Sequence, residues 1–330
     1  MSGPMQSRLI YDTLAGVPSC HASTLAELPN GDLVAAWFGG AQEGSPDSSH
    51  YWSRLRHGQT AWDEPAVLWD VPGHAAGNPR LFTVPNGDLW AILPVNYGKW
   101  CNGGTRFYHR ASHDQGATWS APIHTPELDM LLGKNKPVVF PDGRFVLPVT
   151  MELTKASAAI VHLPESQKWV VSAPISLPEN GRCIQPSFVT LRDGRILAFF
   201  RTGCGRIWKA YSEDRGLAWS QPVETALRNN DSGLDLARLA NGHLLLAFND
   251  TEKGRTPLNL AVSTDGGETW PHRLTIAQGR GEFSYPTVIQ SRDGLIHLTY
   301  TDLPGERKGP GRYGSKVRHA VLHEEQILDA

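Results

Sequence analysis

The sequence has few charges, few cysteines and no long apolar run. Its 31 basic and 33 acidic residues nearly cancel, which argues against a nucleic-acid binder that relies on bulk basic charge and against a disordered acidic chain. Four cysteines in 330 residues make no disulfide framework, and no segment approaches the ~20 apolar residues of a membrane-spanning helix. Residues 1–16 show no charged stretch followed by an apolar one, so we expect no secretion signal. We therefore expect a reduced, soluble, cytoplasmic protein that binds neither nucleic acid nor membrane.

Glycine, proline and tryptophan are abundant instead, with 33, 24 and 11 residues, and a glycine tag recurs along the chain. The tag is an Asn-Gly or Asp-Gly pair followed by an apolar run, and it occurs as PNGDLVAAW, PNGDLWAIL, PDGRFVLPV, RDGRILAFF, ANGHLLLAF and RDGLIHLTY. Its glycines lie 56, 56, 51, 48 and 52 residues apart, at Gly31, Gly87, Gly143, Gly194, Gly242 and Gly294. Such a pair between two β-rich runs is a strong hairpin signal, because the tight turn needs positive φ. Six repeats with room for four strands each predict one all-β domain over residues 1–330, a six-bladed β-propeller with four-stranded antiparallel blades.

A second motif recurs inside the repeats, in residues 112–119, 212–219 and 263–270, where the sequence reads SHDQGATW, SEDRGLAW and STDGGETW. The Ser and Asp side chains suit the backbone of a tight turn, the glycine supplies positive φ, and the tryptophan can pack between sheets. This pattern resembles the Asp-box of the sialidase (neuraminidase) superfamily, and the resemblance covers nearly the whole chain. It is strongest to the bacterial group usually called predicted neuraminidases, or BNR-repeat proteins. The motif implies a fold and not an activity.

Polar residues recur where the first strand of each predicted blade begins and where the second ends. If the first strands are innermost, these ends lie on one face of the propeller and ring its axial channel. These residues lie eight to ten positions before a repeat glycine or, for the last two, seven positions after one: His21, Asn78, Lys134, Asn135, Gln185, Ser232, Ser284, Tyr285, Arg201 and Asn249. Buried polar groups need a partner or a ligand. The ring therefore predicts a binding site, although its members could instead bond one another and channel water.

Three positions carry over from the sialidase pattern. The resemblance implies that Arg201 and Arg255 correspond to the second and third of three arginines that bind the carboxylate of the substrate. Asp47, in the loop Glu43-Gly-Ser-Pro-Asp47, occupies roughly the place of the acid/base aspartate.

Three other positions depart from that pattern. His21 stands where the first arginine belongs, and Gln185 replaces the glutamate that activates the nucleophilic tyrosine. The tyrosine position itself falls on Phe283, while Tyr285 lies two residues on, on the same face of a regular strand. A glutamine cannot take a proton from tyrosine, whereas histidine titrates near neutrality. The resemblance therefore does not carry the usual nucleophile pair.

The function implied is a sialidase-like, exo-acting glycoside hydrolase for a terminal sugar that bears a carboxylate. We assign catalysis to His21, Asp47 and Tyr285, and expect the acidic glycan to contact Arg201, Arg255, Gln185, Asn78, Lys134 and Asn249. A uronate lyase could use the same pocket, with His21 or Tyr285 as the base and the arginines stabilising the enolate. A glycan-binding propeller without catalysis is a third reading. These readings leave the sugar and the oligomeric state open.

Two further expectations concern metals and a loop. Cys20, Cys183 and Cys204 fall near strand ends and could bind zinc with His21, but no C-x-x-C spacing is present. We expect reduced thiols, no metal and no cofactor. Residues 303–316 interrupt the repeat with Gly, Pro and basic residues, which suggests a lid over the site.

Overall fold

The computed structural model describes residues 5–99, 102–178, 181–305 and 314–330. Strands account for 48% of the structure and helix for 3%, which confirms the predicted all-β class. The helical segments described are a 3₁₀ turn at Pro126–Leu128 and a short C-terminal helix, α1, at Glu325–Leu328. Within these ranges, no helix is long and apolar enough to cross a membrane. Most of the expected lid, residues 306–313, lies outside the described residues.

The chain begins with strand β1 (Gln6–Leu9), which forms the edge of the last sheet, and then forms successive antiparallel sheets. Sheet one contains β2 (Ser19–Glu27), β3 (Leu33–Gly40), β4 (Ser49–Leu55) and β5 (Ala66–Trp69). A small three-stranded sheet follows, with β6 (Ala75–Ala76), β9 (Val95–Asn96) and β10 (Thr105–Arg106). Its strands lie close in sequence to those of sheet two, which are β7 (Arg80–Thr83), β8 (Leu89–Ile92), β11 (Tyr108–Ser112) and β12 (Ile123–His124).

The second half of the chain continues the series. Sheet three contains β13 (Leu131–Leu132), β14 (Val138–Val139), β15 (Phe145–Met151), β16 (Ser157–Leu163) and β17 (Lys168–Val171). Sheet four contains β18 (Cys183–Thr190), β19 (Ile196–Thr202), β20 (Arg206–Ser212) and β21 (Val223–Arg228). Sheet five contains β22 (Asp235–Arg238), β23 (Leu244–Phe248), β24 (Leu258–Ser263) and β25 (His272–Ala277). Sheet six contains β26 (Gly281–Gln290), β27 (Ile296–Pro304) and β28 (Lys316–Leu322), with β1 beside β28.

Each of the six glycine tags forms a hairpin, which joins β14 to β15 in sheet three and the first strand to the second in the other five sheets. Each tag glycine has φ between 81° and 91°, a region that L side chains rarely occupy. Each also donates its N–H to the carbonyl three residues earlier, as Gly31 does to Leu28 at 2.9 Å. The predicted hairpins are therefore confirmed, and the same local turn sets the start of every repeat.

The three S-x-D-x-G turns share one hydrogen-bond pattern. In residues 263–270, the Ser263 hydroxyl donates to Asp265 at 2.7 Å and accepts from the Gly267 N–H at 2.8 Å. Asp265 also accepts from the N–H of Thr269 at 2.9 Å. These contacts hold the pKa of Asp265 at about 2, although burial acts in the opposite direction. A charged aspartate thus closes each turn between the third and fourth strands.

The first strands lie inside the molecule and the fourth strands lie outside. β2 contacts β26 and β7, and β18 contacts both β15 and β22. All but the last residue of β2 are buried, whereas β12 is fully exposed. The inner strands of neighbouring sheets therefore contact one another.

The two ends of the chain meet in sheet six. β1 pairs antiparallel with β28, with Arg8 opposite His319. The N-terminal run thus supplies the outer strand of this sheet. The pairing joins the first and last repeats through backbone hydrogen bonds.

Candidate active site

Three inner strands carry the same irregularity where the site was predicted. The pairing register shifts between His21 and Thr24 in β2, between Ile184 and Ser187 in β18, and between Ser284 and Thr287 in β26. One non-glycine residue in each shift has positive φ: Ala22 at 56°, Gln185 at 45° and Tyr285 at 53°. A side chain in this region costs about 1–3 kcal/mol, so surrounding contacts must hold the bulges.

Side chains of the preceding sheet hold two of these bulges. The Thr150 hydroxyl accepts the N–H of Gln185 at 2.7 Å, and the Thr301 hydroxyl accepts the N–H of Ala22 at 3.3 Å. Both threonines lie seven residues after a repeat glycine. Asn249 occupies the same place in sheet five and donates to the carbonyl of Phe283 at 2.9 Å. The residue seven positions after the repeat glycine therefore supports the inner strand of the next sheet in these three cases.

The Tyr285 hydroxyl is the centre of a side-chain cluster. It accepts a hydrogen bond from Nε2 of Gln185 at 3.1 Å and another from Nη1 of Arg201 at 3.0 Å. The same Arg201 nitrogen donates to Oε1 of Gln185 at 2.7 Å, which fixes the orientation of the amide. Tyr285 is 6% exposed. The three side chains thus form a closed triangle with the arginine as the common donor.

Two arginines lie against the Tyr285 ring. The guanidinium carbon of Arg201 is 5.9 Å from the ring centroid and that of Arg255 is 5.4 Å away. Arg201 donates from Nε to Asp231 at 2.8 Å, and Arg255 donates from Nη1 to Glu282 at 2.8 Å. Burial disfavours the charge of Arg201, but Tyr285 and Asp231 outweigh it and raise its pKa. Each of the two guanidinium groups is therefore held in place by a carboxylate.

His21 packs against the same tyrosine. Its ring centroid lies 4.1 Å from that of Tyr285 and 5.7 Å from that of Phe38, with the Phe38 ring nearly perpendicular. Its Nδ1 is 2.8 Å from the Thr301 hydroxyl, and the side chain is fully buried. The structure thus brings together five of the nine predicted residues: His21, Gln185, Arg201, Arg255 and Tyr285.

The other predicted residues have different surroundings. Asp47 is exposed and accepts hydrogen bonds within its own loop, from the Ala41 N–H at 3.1 Å and from the Ser45 hydroxyl. Asn78 donates to the Gly133 carbonyl at 3.1 Å. Lys134 and Asn249 are buried and donate to backbone carbonyls. Roles in substrate contact or acid/base catalysis for these four residues stay predictions.

The bulge in β26 changes the expected relation between Phe283 and Tyr285. Strict alternation would put both rings on one face, but the partly buried Phe283 packs against the hydrophobic cluster that contains Tyr300, with the two ring centroids 6.4 Å apart. Tyr285 instead lies beside Gln185 and the arginines. The expectation of a shared face was wrong, because the extra residue of the bulge reverses the alternation.

Sequence reasoning also missed the carboxylates that orient the arginines. Asp231 has positive φ, 60°, and ion-pairs with both Arg201 and Arg182 at 2.8 Å. Glu282 accepts from Arg255 and from the Ser284 hydroxyl, the latter at 2.6 Å. The only available signal was their proximity in sequence to predicted site positions.

The cysteines predicted to be reduced are free thiols where the structure describes them. Cys20 and Cys183 are buried and Cys204 is exposed. Burial raises the pKa of Cys20 to about 11 and that of Cys183 to about 12. Among the described residues, no three His, Cys, Asp or Glu side chains are grouped so that they could hold a metal ion.

Residues 31–298 match the family model described as a BNR repeat-like domain. The chain belongs to this family. It is 22% identical over 273 residues to a protein named Sialidase from Bacteroides fragilis (strain YCH46), with 71% of this chain and 49% of that protein covered. The chain therefore spans about half the length of that curated relative.

Solved structures show what fold this BNR-family chain has. A protein of unknown function from Dyadobacter fermentans DSM 18053 superposes with a TM-score of 0.79 at 17% identity, covering 97% of this chain and 99% of that one. The NanB sialidase from Streptococcus pneumoniae superposes with a TM-score of 0.76 at 13% identity, covering 97% and 71%. Identities this low establish the fold alone, which is the β-propeller fold of the sialidases.

Proposed function

We propose that this protein is an exo-acting glycosidase for a terminal sugar that bears a carboxylate. The observation that carries the proposal is the convergence of Arg201 and Arg255 on Tyr285, a buried tyrosine bonded to Gln185. We further propose that the six larger sheets are the blades of one closed propeller over residues 1–330. In this arrangement the S-x-D-x-G turns act as Asp-boxes, and the bulged ends of the inner strands form the floor of the pocket.

Carboxylate recognition is assigned to the arginines. Nε and Nη1 of Arg201 are occupied by Asp231, Gln185 and Tyr285, whereas its Nη2 makes no hydrogen bond to any described residue. Arg255 is partly exposed and uses Nη1 for Glu282. Guanidinium groups suit a carboxylate because they donate paired, charge-assisted hydrogen bonds. The carboxylate would thus be held above the Tyr285 ring.

The proposed chemistry differs from that of a tyrosine–glutamate pair. Gln185 donates to the Tyr285 hydroxyl and cannot remove its proton. His21, whose ring lies tilted against that of Tyr285, supplies an imidazole, a group that can act as a general base. We therefore assign proton removal to His21 and protonation of the leaving group to Asp47. Asn78, Lys134 and Asn249 keep the supporting contacts described above.

A second candidate is a lyase that acts on a uronate. The His21–Tyr285 contact favours it, because a histidine or tyrosine can abstract the proton α to a carboxylate whose charge two arginines neutralise. A glycan-binding propeller is the third candidate, since Gln185 stands where the base is expected.

One assay series separates the three. A sialoside that releases a fluorescent phenol reports hydrolysis, and uronate oligosaccharides report β-elimination by ultraviolet absorbance of the unsaturated product. We expect the phenol signal, and we expect His21→Ala and Asp47→Asn each to lower kcat by ~10²-fold, on the scale of a positioned acid or base. Ultraviolet absorbance without phenol release would favour the lyase, and binding without turnover would favour the glycan-binding protein.

A further inference from the structure

Lys134 links sheet three to β26 of sheet six, the strand that carries Tyr285. It precedes β14 in sheet three and is 1% exposed. Its Nζ donates to the Pro286 carbonyl and to the Thr287 hydroxyl at 3.3 Å, both in β26 of sheet six. Pro286 directly follows Tyr285, so the ammonium group binds the first carbonyl after the positive-φ residue.

The burial of this lysine is unfavourable by itself. Desolvation lowers its pKa to about 7, even though Asp235 acts in the opposite direction. A buried amine that kept no strong acceptor would destabilise the fold. The acceptors of the Lys134 amine lie at the bulge of β26. One of them, the Thr287 hydroxyl, itself donates to the Ser23 carbonyl of β2 at 2.8 Å. Ser23 follows Ala22, the positive-φ residue of β2.

Asn135 makes the matching contacts to the bulge of β18. Its Nδ2 donates to the Gln185 carbonyl at 3.3 Å and to the Pro186 carbonyl at 2.9 Å. Two consecutive residues of one segment therefore hold the carbonyls at the two bulges that present Tyr285 and Gln185. The 3.1 Å contact between the side chains of Tyr285 and Gln185 depends on both bulges.

We propose that Lys134 and Asn135 are positioning residues, which fix the two bulges and thereby set the contact between the Tyr285 hydroxyl and Gln185. The relevance of that contact for catalysis rests on the proposed function, but the positioning itself does not. In this role Lys134 supports the bulge that carries Tyr285 and does not contact the substrate, although its position in the sequence predicted such a contact.

The test compares Lys134→Met with Lys136→Met. Methionine keeps the unbranched chain as far as the ε atom and removes the terminal donor. Lys136 lies in the same segment but donates to Asp235 at 2.5 Å and to Leu236 at 2.8 Å, in sheet five. Both variants lose a largely buried amine, so a general loss of stability should appear in both, whereas only the first loses the contact to Pro286.

The readout that needs no substrate is ¹⁹F NMR of protein labelled with 3-fluorotyrosine. The eight tyrosines give a small set of resonances, and Tyr285→Phe assigns the one of interest. We expect the Tyr285 resonance to shift or broaden in Lys134→Met and to stay in place in Lys136→Met. Asn135→Ala should also move the Tyr285 resonance, because Asn135 holds the bulge that carries Gln185 and Gln185 donates to the Tyr285 hydroxyl. This variant provides the test if Lys134→Met does not fold.

Kinetics on the sialoside gives the second readout. We expect Lys134→Met to lower kcat about tenfold or more with KM little changed, as for a misplaced reacting group, while Lys136→Met keeps the wild-type kcat. A Tyr285 resonance unchanged in both Lys134→Met and Asn135→Ala would overturn the proposal, and so would equal resonance shifts in Lys134→Met and Lys136→Met. A shifted resonance in a protein that turns over no acidic glycoside would keep the positioning role and reject the proposed function.

Discussion

At the scale of single residues, the candidate site differs from a tyrosine–glutamate pair at one group, since the side chain beside Tyr285 is the amide of Gln185 and not a carboxylate. Two donors meet at the Tyr285 oxygen, from Gln185 and from Arg201. A carboxylate in place of the amide would keep the 2.7 Å contact with Arg201 and turn the donor to tyrosine into an acceptor. Residue 185 is thus placed where a carboxylate could take the proton of Tyr285, but its side chain is an amide, which cannot.

Gln185→Glu should therefore increase hydrolysis. We expect kcat on a sialoside to rise about tenfold or more, because the new carboxylate can accept the tyrosine proton at hydrogen-bond distance. Gln185→Ala should lower kcat far less than His21→Ala. Steady-state kinetics of the three variants checks this order, and an inactive Gln185→Glu protein with an unchanged melting temperature would contradict the proposed role of Tyr285.

The arginines give a second prediction at this scale. Arg201→Lys and Arg255→Lys should each weaken an acidic ligand by about 1–3 kcal/mol, the value of a hydrogen bond to a charged group, since lysine cannot donate a paired hydrogen bond. Calorimetric titration with an acidic sugar that the protein binds and with its carboxamide measures the difference. Equal losses for the two ligands would show that the arginines do not bind the carboxylate.

At the scale of elements, the sequence predicts the hairpin turns but not the bulges of the inner strands. The hairpins were predictable because the glycine at each turn is itself the residue that permits positive φ. The bulges were not, because Ala22, Gln185 and Tyr285 carry side chains that disfavour that conformation. Hydrogen bonds from other sheets hold these residues there. The same contacts decide that Tyr285, and not Phe283, enters the site.

Thr150→Val tests this account of the bulges. Valine has nearly the shape of threonine but cannot accept the Gln185 N–H, which now bonds to the hydroxyl at 2.7 Å. We expect the free energy of unfolding to fall by about 1–3 kcal/mol, the cost of an unsatisfied buried donor. Thr150→Ser keeps the hydroxyl and should lose much less. If urea unfolding shows equal losses for valine and serine, the hydroxyl does not hold the bulge.

At the scale of the whole molecule, several histidines are buried in the neutral form. Burial lowers their pKa values to about 4 for His109, His162 and His297, and to about 3 for His50 and His319. An unfolded histidine has a pKa near 6.5. The folded protein therefore binds fewer protons than the unfolded chain below that pH, so stability is complete above about pH 6.5 and falls as the pH drops toward 4.

His162 allows this pH dependence to be measured one group at a time. Its ring stacks on Phe145 with centroids 4.6 Å apart, and its Nδ1 has no hydrogen-bond partner among the described residues. His162→Phe should therefore fold normally at pH 7.5. It should also remove one of the protons taken up on unfolding, each worth about 1.4 kcal/mol per pH unit when fully taken up.

Urea unfolding at pH 7.5, 6 and 5 should give a smaller loss of stability for the variant than for the wild type. The carboxylates with lowered pKa, such as Asp265, act nearer pH 2–4 and leave this window clear. The same loss in both proteins would mean that His162 already binds a proton in the fold, and that its burial does not exclude the charge.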